Sequence, residues 1–111
     1  MKKRIIFIAL MLLTFCQVVF AADFELLTVK TRKSGIDDFT EIMGQIQNNT
    51  NKSYEIVMFN LNIYSADKEL LEVTPLIIPN FPKKSKKSFK DIIQIVVPKE
   101  ALFELELDTT L

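Results

Sequence analysis

Five lysines, Lys83, Lys84, Lys86, Lys87 and Lys90, fall within eight residues that contain no acid. Ammonium groups at that density could attract an anionic surface such as phospholipid head groups, a cell-wall polymer or an acidic partner. The same run suits an inter-strand loop whose charges keep a sheet edge from pairing with other chains, which is the simpler reading. An opposite pole lies near the C-terminal end, where Glu104, Glu106 and Asp108 alternate with Phe103, Leu105 and Leu107. Carboxylates spaced by two along a strand could ligate a hard cation through oxygen. They could also pair with Lys30 and Arg32 if the first and last strands are neighbours. A solvated acidic face requires neither and is preferred. Asp37, Asp38 and Glu41 form a second acidic group, but without the ligand spacing and central glycine of an EF-hand loop.

Much other chemistry is excluded by composition. The 111-residue chain has no His and no Trp, and its single Cys is Cys16. A disulfide framework, a Cys/His zinc site and any mechanism built on imidazole are therefore out of reach. Ser34, Ser53, Ser65, Ser85 and Ser88 have no histidine to activate them, and none lies in a G-x-S-x-G turn. A lysine base for Ser85 or Ser88 would sit in an exposed loop, where it stays charged and serves poorly. Gly35 and Gly44 are the only glycines, which removes the phosphate-cradling loops. Paired-carboxylate catalysis needs a cleft that a domain of this size seldom encloses. The expectation is a protein that is not an enzyme, with no catalytic residue, no cofactor and no metal.

The first 22 residues read as a secretory leader. Lys2, Lys3 and Arg4 precede the apolar run Ile5–Leu13, and Val18–Ala22 ends in small residues. This is the charge, core and cleavage-site order of a signal peptide. Cleavage after Ala21 places Val19 and Ala21 at the recognition positions, whereas cleavage after Ala22 uses bulky Phe20. Two other fates draw on the same residues. Leu13-Thr14-Phe15-Cys16 resembles a lipobox apart from Phe15, so Cys16 could be lipidated, and Ile5–Ala22 could remain as a short anchor. Removal of 1–22 takes 3 of the 14 basic residues and none of the 14 acids, leaving a net charge of −3. Net acidity and export both argue against nucleic acid as a partner. The mature chain is expected to have no transmembrane segment.

Beyond Asp23 the dominant period is two. Val57, Phe59, Leu61 and Ile63 alternate with Met58, Asn60, Asn62 and Tyr64, and Phe103–Asp108 alternates as cleanly. Phe24–Thr31, Glu41–Gln47, Leu70–Ile78 and Phe89–Val97 complete the set. Polar turns separate them: Lys33-Ser34-Gly35, Asn48–Ser53, Ala66–Glu69, the Pro79–Pro82 loop with its lysines, and Pro98-Lys99-Glu100, read as one helical turn. The sequons Asn48-Asn49-Thr50 and Asn51-Lys52-Ser53 read as turn residues. Six or seven short strands in one domain at 23–111 predict an all-β, antiparallel β-sandwich. Pro75 cannot donate to a ladder, so its strand is expected at an edge or at a bulge. The face bearing Tyr54, Met58, Asn60, Asn62 and Tyr64 could be solvated, covered, or used as an interface.

Gly44-Gln45-Ile46-Gln47-Asn48-Asn49-Thr50, then Phe59–Leu71, Pro82 and Phe89 resemble the FxLYD domain of exported bacterial proteins. In that family a G-x-V-x-N strand leads into a strand ending near F-x-L-Y-D, here Leu61-Asn62-Ile63-Tyr64-Ser65, with Ser65 in place of Asp. The family's turn glycines are replaced by Lys68 and by Lys83-Lys84 after Pro82, so these turns are expected to take a different geometry. The resemblance implies an immunoglobulin-like sandwich exported to the cell envelope, with no catalytic role. The functional expectation is a periplasmic or secreted, non-catalytic accessory or binding module. Its partner would be an unknown envelope protein or an anionic surface. The alternative is a structural subunit of an envelope assembly that pairs through an exposed edge strand.

Overall fold

The structure, a computed structural model, describes residues 4–7, 22–36 and 38–111. Most of the leader, including Cys16 and Ala21, and also Asp37, lie outside the described residues. Seven strands form in order: β1 (Arg4–Phe7), β2 (Phe24–Lys33), β3 (Thr40–Asn48), β4 (Tyr54–Tyr64), β5 (Leu70–Phe81), β6 (Lys86–Ile93) and β7 (Leu102–Thr110). One sheet has the order β1-β7-β4-β5 and the other β2-β3-β6, with every pair antiparallel. The all-β sandwich expected from the alternating pattern is the fold observed. No helix occurs among the described residues, and none there is long and apolar enough to cross a membrane.

The alternation decides the layers. Val57, Phe59, Leu61 and Ile63 of β4 are all at most 1% exposed and face Ile42 and Ile46 of β3, both at 0%. Leu76 and Ile78 of β5 and Phe103 and Leu105 of β7 extend the same dry interior. Each such side chain contributes about 1.5–3 kcal/mol on leaving water, which is how a domain without disulfides stays closed. Phe24 of β2 locks the end of the sandwich. Its ring meets Phe59 edge-on at 5.2 Å and lies 5.8 Å from both Phe81 and Tyr54. Such pairs add to simple burial.

Pro75 does lie in an edge strand, since β5 closes its sheet with only β4 as neighbour. The strand expected at Phe89–Val97 is shifted: it begins at Lys86 and ends at Ile93. The departing chain is held instead by Thr40, whose Oγ1 donates to the Ile95 carbonyl at 2.7 Å and accepts from the Val97 amide at 3.3 Å. Pro98–Ala101 makes a single turn closed by Ala101 N–H to the Pro98 carbonyl, with no helix.

The turns overturn one expectation. Lys68 and Lys84 keep the left-handed backbone that glycine would supply, at φ 68° and 54°. In the β4–β5 turn the Lys68 amide donates to the Ser65 carbonyl at 2.9 Å, and the Glu69 amide donates to Ser65 Oγ at 3.2 Å. These bonds hold a lysine where its Cβ is disfavoured. Lys68→Gly is therefore expected to stabilise the fold by up to about 1 kcal/mol, net of the freedom glycine adds to the unfolded chain. A rise in the urea midpoint at unchanged slope would show it.

Candidate binding face

The outer face of the β2-β3-β6 sheet gathers cations that are far apart in sequence. Register sets Lys30 opposite Met43 and Met43 opposite Lys90, one row across the three strands. The next row toward one end is Arg32, Glu41 and Ile92, and toward the other Thr28, Gln45 and Ser88. Beyond that lie Glu25, Gln47 and Lys86. The face thus presents four basic side chains against two acids, arranged around an uncharged shelf of Thr28, Met43, Gln45 and Ser88. A shallow depression runs over that shelf, with Lys30 and Lys90 on its rim.

Glu41 is already committed. Arg32 Nε donates to its Oε1 at 2.7 Å, Arg32 Nη2 bonds the same oxygen, and Lys90 Nζ lies 3.2 Å from Oε2. The Arg32 guanidinium first, then the Lys90 ammonium, hold the Glu41 carboxyl below its ordinary pKa. A carboxylate with a depressed folded-state pKa supports the fold above its unfolded-state pKa, and that support fades as pH falls through the folded value. Glu41→Gln should therefore lower stability at neutral pH and have no effect once the carboxyl is protonated. Urea midpoints of both proteins followed from pH 7 into the acid range should converge.

The five lysines expected to form one loop are divided. Lys83 and Lys84 sit in the β5–β6 turn, whereas Lys86, Lys87 and Lys90 belong to strand β6. Lys86 and Lys90 are exposed on the outer face, and Lys87 is half-buried on the opposite parity. The turn itself is tied down: Lys84 Nζ donates to the Asn49 carbonyl at 2.8 Å, and the Lys83 amide donates to Ser53 Oγ at 3.0 Å. Beneath them Asn48, fully buried, donates from Nδ2 to the carbonyls of Lys52 and Pro82, each at 3.0 Å. Its Oδ1 accepts from the Thr50 amide at 2.9 Å and the Thr50 hydroxyl at 2.7 Å. One amide side chain thereby fastens two loops at the same end of the sandwich.

Sequence alone does not associate Lys30 and Arg32 with this cluster and leaves the acids of the last strand as their possible partners. β2 and β7 lie in different sheets and are not paired strands. The signal was present in the spacing, because Lys30/Arg32 and Lys86/Ser88/Lys90 each repeat with period two on a strand. Only the β3 register brings the two sets together.

The acidic pole also differs from expectation. Glu104 is 3% exposed, and its Oε1 accepts from Asn62 Nδ2 and from the Tyr64 hydroxyl, both at 2.9 Å. Asn62, at 6%, is buried on the same outer face. Glu106 is half-buried and Asp108 is exposed, next to the irregularity that shifts register between Leu107 and Thr109. No group of three potential ligands capable of holding a metal ion occurs among the described residues.

No family model matches the chain, and no curated protein and no solved structure does either.

Proposed function

We propose that this chain is an exported, non-catalytic β-sandwich module of the bacterial cell envelope that binds phosphodiester-bearing surfaces through the outer face of its β2-β3-β6 sheet. The row Lys30–Met43–Lys90 carries the reading, with Arg32 and Lys86 at its flanks. Ammonium groups on both sides of an uncharged, hydrogen-bonding shelf suit a ligand whose charges are spaced along a surface or polymer. A single buried anion would instead require a desolvated pocket. Glu41 offsets part of the field at one end of the face. Lys30 and Lys86, both exposed on this face, remain to engage a ligand.

The leader pattern at 1–22 supports export, and the FxLYD resemblance points to the same compartment. Both head groups of anionic lipids and phosphate-linked wall polymers present the required chemistry. Near an anionic bilayer each lysine is worth about 1 kcal/mol. The triple variant K30Q/K86Q/K90Q should therefore bind vesicles containing phosphatidylglycerol about 100-fold more weakly. Binding should also fall steeply with salt, as expected for exposed charges screened over about 8 Å at physiological ionic strength. Sedimentation with phosphatidylglycerol vesicles, phosphatidylcholine vesicles and purified phosphate-rich wall polymer distinguishes the sources. Equal binding to neutral vesicles, or an unaffected triple variant, would overturn the proposal.

A further inference from the structure

The free edges of the two sheets do not treat a visiting strand alike. β5 carries Pro75 and Pro79, set opposite Asn60 and Ile56 and therefore on the same parity. Proline is tolerated in a ladder where its missing N–H points away from the neighbour. The outer row of β5 thus lacks donors at both positions. β6 presents Lys86, Lys87 and Lys90, and lysine on an edge opposes further pairing. β2 has an irregularity between Leu26 and Thr28, followed by Lys30, Arg32 and Lys33. Three edges are blunted, each by a different device.

The remaining edge, that of β7, has none of these over Phe103–Glu106. It is covered by β1, which pairs antiparallel with Arg4 opposite Glu106, Ile5 opposite Leu105, Ile6 opposite Glu104 and Phe7 opposite Phe103. β2 of the facing sheet lies beside both β1 and β7, so a strand placed here is sheltered by both layers. The sheet orders match an immunoglobulin sandwich with β3 and β6 paired in one layer and β4 and β7 in the other. In that layout β7 stands where strand F does, and β1 occupies the place of strand G.

We infer that the β7 edge is an acceptor for an extended segment of a partner protein, one that carries a cation opposite Glu106 and an apolar residue opposite Leu105 and Phe103. The inference rests on the export reading for one step: removal of residues 1–22 takes β1 away and opens the edge. A second copy of this chain is a poor occupant. Two β7 edges paired antiparallel about Leu105 would set Glu104 against Glu106 twice, and like charges directly opposite are destabilising. Main-chain bonds would supply affinity, and the acid at Glu106 would select the partner and its register.

The test uses the exported chain, purified after expression with its own leader, its N-terminus defined by mass. The probe is the synthetic peptide Lys-Lys-Arg-Ile-Ile-Phe-Ile, residues 2–8 of this chain. Expected are saturable binding and slowed amide exchange at Phe103–Glu106. Arg4→Glu in the peptide should weaken binding about fivefold, and Glu106→Lys in the protein should restore it. Prolines at both Ile5 and Ile6 of the peptide should abolish binding whichever parity faces β7. No binding, protection on β5 or β6 instead, or a charge swap without effect would overturn the inference. So would a stable dimer formed through β7 without peptide. A mass showing residues 1–22 retained would refute cleavage alone. The edge is then read on that chain, where Arg4→Glu and Glu106→Lys should each speed exchange at Phe103–Glu106 and the double variant should slow it again. Failure of that rescue would sink the acceptor assignment.

Discussion

Asn48→Asp is expected to destabilise the fold by about 4 kcal/mol, a large part of the roughly 5–15 kcal/mol that holds a domain together. The side chain is fully buried, and its Nδ2 faces three carbonyls, those of Lys52, Pro82 and, at 3.4 Å, Phe81. An aspartate of the same shape keeps the acceptor used by Thr50 but turns the other edge into an oxygen aimed at those carbonyls. It has no donor to offer and cannot reach water. Asn48→Ala avoids the charge but leaves the carbonyls and the Thr50 amide short of partners, at about 3 kcal/mol. The two variants should also differ in pH response. Burial among carbonyls raises the pKa of the introduced carboxyl, so the Asp variant should gain stability as pH falls and a proton restores a donor. Urea unfolding at pH 7 and pH 4.5 separates them, and equal losses at both pH values would show that the amide donor is not what matters.

Period-two alternation made the strands and inward faces of β4 and β7 legible, because a half-buried strand must separate its apolar and polar sides. Pro75 likewise announced an edge, since a missing donor has few places to go. What stayed hidden depends on pairing across the chain. Nothing local to Lys30 says that Lys90 lies two strands away in the same row. Nothing local to Glu104 says that Asn62 and Tyr64 will satisfy it, so it read as a solvated residue. The turn lysines misled for a different reason. Propensity argued against left-handed Lys68 and Lys84, but a closed turn and a bond from Lys84 to Asn49 outweigh a local cost of that size. Gly44 and Asn48, the ends of the stretch resembling G-x-V-x-N, stand four apart on one strand, but the motif alone does not show that Phe89 fills the space over one and the Pro82 carbonyl meets the other.

Gly44→Val should be the other severe substitution, at about 3 kcal/mol, and its cause is steric. A Cβ built at Gly44 would lie 2.5 Å from the Thr28 carbonyl oxygen and 2.6 Å from Cε2 and Cζ of Phe89. Thr28 belongs to the backbone of β2, immediately after its irregular step, and Phe89 is itself a core side chain on β6. Neither can yield without moving a strand or emptying core volume, so the conformational freedom lost by replacing glycine in a strand does little to offset the clash. The Phe89 ring occupies the space above Gly44 that a side chain would otherwise fill, which fixes how β2, β3 and β6 align and hence the row of cations on their outer face. Gly44→Ala should cost less than Val, and shortening the ring in Gly44→Ala/Phe89→Leu should recover part of the loss while the Thr28 contact remains. A double-mutant cycle reports this directly, because residues that share one volume are non-additive. Additive effects of the two substitutions would mean that Phe89 does not pack over Gly44, and the alignment of the face would need another cause.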